Sequence, residues 1–235
     1  MLSKLATSPF LWISLTAGLY LLGGKLKAKW PLNPLFNPLV FSITIIIGIL
    51  MLFNIPLETY EQGGQLFSLL ITPATVALAI KLEQNFEYFK KYYPAILVGI
   101  LTGVIFHTAM IYFFSILLKL DKNLVMTLIP KSITTAIAVD VSSALGGIVS
   151  LTVAVVVFTG VVGSLVGPWI MKVFNITDPV AQGVAFGSSA HAVGTSKAIE
   201  LGEIQGAMSG LSIVITGITV VILAPLTGPI TNLFF

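Results

Sequence analysis

An all-α polytopic membrane fold of about six to eight segments is predicted by three observations. Hydrophobic residues make up 56% of the chain and charged ones 9%, with a mean hydropathy of +1.02; a soluble globular domain carries about 25% charged residues. Apolar stretches near the roughly 20 residues needed to cross a bilayer follow one another with short polar connectors. Two segments in the C-terminal half break this pattern: 124–147 and 179–202 are rich in Ser, Thr, Gly and Ala, and are expected to be interrupted or re-entrant helices.

The first four spans are read at 8–24, 37–54, 64–81 and 93–118, each bounded by Lys, Asn, Pro or acidic residues. Lys4 followed by an apolar run resembles a signal sequence, but no small-residue cleavage site follows. Residues 8–24 are therefore read as a retained span. Between the first two spans, Pro31, Pro34 and Pro38 each remove a backbone donor, so Trp30 to Pro38 is expected to form an interfacial elbow anchored by Trp30. Lys25, Lys27 and Lys29 mark the first connector and Lys81, Lys90 and Lys91 the third, whereas the second carries Glu58 and Glu61. The positive-inside rule puts the first and third on the cytoplasmic side. Beyond Lys119 two clean apolar spans remain, 148–173 and 204–234, alternating with the two semi-polar segments.

Composition excludes several kinds of function. Cysteine is absent, which removes disulfides, thiolate metal sites and cysteine nucleophiles, and His107 and His191 are the only histidines. No metal site is expected. The chain has no arginine and its lysines are scattered, so the formal charge of +3 reads as membrane topology and not as nucleic-acid binding. Neither a phosphate loop nor a dinucleotide fingerprint occurs, and no cofactor is expected. A nucleophile elbow is also missing, so no catalytic residue is assigned and the chain is read as a non-enzyme.

The semi-polar segments hold the candidate site. In the first, Lys131, Ser132, Thr134, Thr135 and Asp140 lie between Pro130 and the pair Gly146-Gly147. Ionisable groups at bilayer depth are costly and normally face a protein interior or an aqueous cavity. Free backbone groups at that depth likewise require protein or water partners. In the second segment, Ser188, Ser189, His191 and Thr195 stand among small residues, followed by Lys197 and Glu200. A continuous helix would put Ser188, His191 and Thr195 on one face, and would pair Lys197 with Glu200 at i, i+3. Paired broken helices, often in inverted repeats, are a recurrent way of holding an anion near the midplane. A carboxylate leaving water needs positive potential and several donors, and these residues supply both. Lys131, Ser132, Thr134, Thr135, Ser188, Ser189, His191 and Thr195 are thus expected to bind substrate. Asp140, Lys197 and Glu200 are assigned to coupling or ion pairing.

More ordinary roles are expected for the remaining motifs. The GxxxG pairs Gly99/Gly103, Gly163/Gly167, Gly183/Gly187 and Gly206/Gly210 read mostly as helix-packing contacts. His107, among bulky neighbours, is assigned to packing or to a helix–helix hydrogen bond.

Pro73-Ala-Thr75 with Leu78-Ala79, Pro130-Lys-Ser-Ile-Thr-Thr135, Gly146-Gly147 and Gly187-Ser-Ser-Ala-His-Ala-Val-Gly-Thr195 together resemble the LrgB/CidB antiholin-like membrane proteins. That family includes YohK-type bacterial proteins and the C-terminal half of the plastid glycolate/glycerate translocator. The resemblance covers nearly the whole chain and implies a single transmembrane domain over 1–235 in the bacterial inner (cytoplasmic) membrane. It implies one of two functions. The first is secondary transport of a small monocarboxylate such as glycolate, glycerate, pyruvate or lactate. The second is antiholin-like regulation of murein hydrolase export and autolysis with a small holin-like (LrgA/CidA-type) membrane partner. Besides the lipid bilayer, the expected partners are the carboxylate solute, that membrane protein and further copies of the chain.

Overall fold

The computed structural model describes residues 8–30 and 36–235. Ten α-helices hold nearly all of these, and no strand occurs among the described residues. The helices are α1 (Pro9–Lys29), α2 (Pro38–Leu52), α3 (Leu57–Leu69), α4 (Ile71–Gln84), α5 (Phe86–Leu117), α6 (Lys122–Leu128), α7 (Thr135–Leu145), α8 (Val149–Val173), α9 (Pro179–Leu201) and α10 (Glu203–Phe234). Proline opens α1, α2 and α9, where its missing N–H has no helical partner to lose. Asn37, Asp121 and Asp178 cap α2, α6 and α9 by accepting from Leu39 N at 3.0 Å, Leu124 N at 3.0 Å and Ala181 N at 2.9 Å. Among the described residues, four stretches are long and apolar enough to cross a membrane: Leu57–Gln84, Phe86–Leu117, Val149–Val173 and Glu203–Phe234. Together these helices make the chain a multi-pass membrane protein.

The chain divides into two compact units, with a boundary inside α4 between Ala77 and Leu78. In the first unit α1 packs on α2 and α3. Gly23 lets α1 approach α2 closely enough that a Cβ there would lie 2.9 Å from Pro38 Cα. Trp12 is buried and meets the Tyr60 ring edge-on at 5.7 Å. Of the expected elbow, residues 31–35 lie outside the described residues; Trp30 packs 5.4 Å from Phe36.

In the second unit the two semi-polar segments become hairpins entering from opposite ends. Helix α5 runs the length of the unit. From its Leu117 end the chain goes inward through α6, breaks at Ile129–Thr134, and returns to that end as α7. The closure of this hairpin is well defined: Ile148 N donates to Thr127 Oγ1 at 2.8 Å, and Ser142 Oγ and Thr152 Oγ1 are 2.6 Å apart. Gly146 ends α7 in the left-handed region at φ 80°.

Helix α8 then leads back to the Phe86 end, where α9 begins. At His191, with φ 43° and ψ −135°, the helical path of α9 is interrupted. Close approaches show the chain reversing there. Before His191, Gly183 packs on Gln205 and Met208, and Gly187 on Ser209 and Ser212, so this limb runs parallel to α10. After it, Thr195 Oγ1 lies 2.7 Å from Ser209 Oγ and Ile199 packs on Gly206, so the return limb is antiparallel to α10. Gly194 comes up against the Phe186 carbonyl, and Leu201 borders the same small pocket as Ile176 and Gln182. The expectation that Ser188, His191 and Thr195 share one helical face therefore fails, because the helix does not continue through His191.

Helix α10 completes the unit. Lys81 Nζ lies 3.3 Å from Glu203 Oε1 at its start, and Tyr112 OH lies 2.8 Å from Thr231 Oγ1 near its end. The order long helix, then hairpin, thus occurs twice with opposite sense: α5 with α6–α7, and α8 with α9. The reversal of α9 lies level with the middle of α8, at Gly160, and the break after α6 lies beside His107 of α5, nearer the Leu117 end of that helix than its Phe86 end. Large apolar side chains on the outer faces of the long helices, including Leu97, Phe106, Trp169 and Ile222, are exposed, as a surface solvated by lipid requires.

Candidate functional site

The two reversals border a cavity of about 630 Å³ between α5, the break after α6, α8 and the first limb of α9. Most of its wall is apolar, including Val104, Phe158, Val162 and Val166. Its polar side chains are His107, Lys131, Ser132, Thr159, Ser188 and Ser189. A second cavity of about 620 Å³ shares Ser188 and Ser189 and extends along α5 and α9 past Gly99 and Ala95 to Tyr92 and Asp178. The two cavities meet at Ser188 and Ser189.

Each polar group owes its place to the local fold. Pro130 and the turn bonds of Lys131 N to Leu128 O at 3.1 Å and Ile133 N to Pro130 O at 3.3 Å prevent a helix after α6. The chain there presents Lys131 and Ser132 to the cavity, while Ile133 is buried in a core with Ile96, Ile100 and Val104. Ser132 Oγ lies 3.1 Å from His107 Nε2 of α5. Ser188 Oγ donates to Val184 O at 2.7 Å and Ser189 Oγ to Ala185 O at 2.6 Å. Such a hydroxyl can rotate to donate to a ligand instead. An ammonium, an imidazole and four hydroxyls in a mostly apolar chamber suit a small anion.

Of the residues singled out in the sequence, Lys131, Ser132, Ser188 and Ser189 meet in this wall. Thr134 and Thr135 sit half-buried at the start of α7, and Asp140 within that helix is exposed. His191 is buried with Nε2 2.9 Å from the Val156 carbonyl oxygen, and Thr195 Oγ1 donates to His191 O at 3.0 Å. None of these five borders the cavity. Lys197 and Glu200 form an ion pair at 2.7 Å, the i, i+3 pairing read from the sequence.

Sequence reasoning assigned His107 to packing or a helix–helix hydrogen bond. Its hydrogen bond goes instead to Ser132 of the break between α6 and α7, 25 positions away, and it also faces the chamber. Gly99 and Gly103 were expected to pack, yet a Cβ at either would meet nothing within 4 Å, and they border the two cavities. Gly163 and Gly167 do pack, against Ala190 and Phe186, and Gly183 and Gly187 against α10.

The model of the LrgB-like family matches residues 16–230. The chain is 34% identical over 215 residues to the holin-like protein CidB of Staphylococcus epidermidis, covering 92% of this chain and 93% of that protein. It is 31% identical over 218 residues to the antiholin-like protein LrgB of Bacillus subtilis, covering 93% and 94%. It is 36% identical over 214 residues to the uncharacterized protein YwbG of Bacillus subtilis, covering 90% and 93%. No solved structure matches the chain.

Proposed function

The chain belongs to the LrgB-like family, and from that premise we propose that it is a secondary transporter carrying a small monocarboxylate such as glycolate, glycerate, pyruvate or lactate across the bacterial cytoplasmic membrane. The observation that carries this reading is the chamber where Lys131, His107, Ser132, Ser188 and Ser189 converge between two hairpins of opposite sense. A carboxylate can be desolvated there because Lys131 supplies the charge and the hydroxyls supply donors. The second cavity continues from Ser188 and Ser189 to the end bearing Lys81, Lys90, Lys91 and Lys172. By the positive-inside rule that end is cytoplasmic, so the path opens inward.

A second reading is carried by the names of the relatives, holin-like and antiholin-like, which speak for it directly and name no solute. On that reading the chain regulates lysis by assembling with a small holin-like membrane protein. Uptake of radiolabelled glycolate, pyruvate and lactate into liposomes holding the purified chain, with and without a pH gradient, separates the two. Transport predicts saturable uptake that Lys131→Gln reduces at least tenfold. If no solute enters, even with a holin-like protein co-reconstituted, the regulatory reading replaces it.

A further inference from the structure

We infer that the reversal of α9 forms, with Thr216 of α10, a binding site for a sodium ion. Among the described residues only Ser115 Oγ and Thr216 Oγ1 are buried side-chain oxygens without a hydrogen-bond partner. Thr216 is 1% exposed. An unmade bond at so buried a hydroxyl costs stability, and a threonine in a membrane helix ordinarily avoids this by donating to the carbonyl four residues earlier. Ser212, one turn before it, does that, with Oγ donating to Met208 O at 2.7 Å.

The register of α9 on α10 places this hydroxyl. Ser209, Ser212 and Thr216 recur at the spacing of one helical face. Ser209 meets Thr195 of the return limb and Ser212 meets Gly187 of the first limb. One further turn along α10 corresponds to three or four residues beyond Gly187 on the parallel limb, which is Ala190 and His191. Thr216 thus stands level with the point where the two limbs of α9 meet.

That point is rich in backbone oxygen. Where the helical path breaks, as at His191, the last carbonyls of the preceding limb have no regular helical turn ahead of them and carry the negative end of its dipole; the His191 carbonyl itself accepts from Thr195 Oγ1 at 3.0 Å. Carbonyl oxygens of an interrupted helix together with a threonine hydroxyl make an all-oxygen, uncharged ligand set. Such a set matches a hard monovalent cation, whereas a divalent ion would call for carboxylates. No Asp or Glu lies between Asp178 and Glu200 on α9, or between Glu203 and the end of α10. The site is distinct from the chamber that holds Lys131, since Thr216 and His191 do not border it.

The test uses the purified full chain in detergent and needs no transported solute, so its outcome is independent of the transport reading. Thermal unfolding is followed while NaCl replaces choline chloride at constant ionic strength, with KCl as a parallel arm. The expected result is a saturable rise in Tm with sodium that potassium does not reproduce. Thr216→Ser should keep the rise and Thr216→Val should abolish it. Valine fills the same space without a buried unmade bond, so Thr216→Val in choline should be at least as stable as the natural chain, which removes misfolding as a reason for the loss. Binding of radioactive sodium, displaced by unlabelled sodium and not by potassium, gives a second readout. Equal Tm in all three salts, as a bound water alone would give, overturns the assignment, and so does a sodium response retained by Thr216→Val.

Discussion

His191 Nε2 lies 2.9 Å from the backbone oxygen of Val156, and the imidazole fits there because residue 160 of α8 is glycine: a Cβ at Gly160 would come within 2.6 Å of His191 Cε1. The contact joins the reversal of α9 to the middle of α8. It also anchors a residue whose φ of 43° is unfavourable for any side chain but glycine's hydrogen. The imidazole thus holds the turn of the hairpin instead of facing the chamber.

A comparison of two substitutions at this position separates backbone strain from the side-chain bond. His191→Ala and His191→Gly both lose the contact with Val156, but only glycine relaxes at positive φ. His191→Gly should therefore be more stable than His191→Ala by about 1 kcal/mol, despite having the smaller side chain. Chemical unfolding of both in the same detergent measures this. Equal stability, or the reverse order, would show that the reversal is not strained.

Ser132 and His107 are bonded at 3.1 Å across the chamber wall, so their substitutions should not be additive. A cycle of Ser132→Ala, His107→Ala and the double variant should show a coupling of about 0.5–1.5 kcal/mol in unfolding free energy. Additive losses would mean that the bond does not hold the first hairpin to α5.

The glycine pair closing α7 should respond unequally to alanine. At Gly146 the left-handed φ of 80° is the only obstacle, with nothing within 4 Å of a Cβ, and Gly146→Ala should cost about 1 kcal/mol. At Gly147 a Cβ would lie 2.5 Å from Ser142 Oγ and 2.9 Å from Thr127 N. Backbone cannot step aside cheaply, so Gly147→Ala should cost more, about 1–3 kcal/mol, and should loosen the base of the hairpin. Unfolding free energies and protease access at Lys122 check both; an equal cost at the two positions would contradict the packing at Thr127.

The long helices were legible because lipid imposes a simple pattern: expected spans at 148–173 and 204–234 are α8 and α10 within a residue at each end. That 124–147 and 179–202 differ from them was also legible, from the Ser, Thr and Gly that large lipid-facing side chains exclude. The point of reversal in α9 was not. Proline and glycine announce a break through their own backbone chemistry, and Pro130 did so for the first hairpin. His191 has ordinary helical propensity, and is held at positive φ only by tertiary contacts with Val156 and Gly160. The site was half legible for the same reason. Lys131, Ser132, Ser188 and Ser189 belong to the conspicuous segments, whereas His107 joins them only because the turns after α6 set Ser132 beside α5, a pairing that no local period encodes.

Two glycines at the same nominal GxxxG spacing should behave in opposite ways. At Gly187 a Cβ would collide with the Ser209 carbonyl and Ser212 Cβ of α10, and Gly187→Ala should cost about 1–3 kcal/mol because one side of the contact is helix backbone. Gly103 of α5 borders the chamber with nothing within 4 Å of a Cβ. Gly103→Leu should leave stability unchanged or raise it by up to about 1 kcal/mol, since leucine favours the helix. The added side chain projects into the space that a carboxylate beside Lys131 would occupy. If displacing the solute costs about 1.4–2.8 kcal/mol, uptake should fall roughly ten- to hundredfold. Unfolding and liposome uptake, measured on the same preparations, give a clear result either way. A Gly103→Leu chain that loses as much stability as Gly187→Ala would mean that α5 is covered at this point in the folded protein. A stable Gly103→Leu chain with full uptake would mean that the solute passes elsewhere.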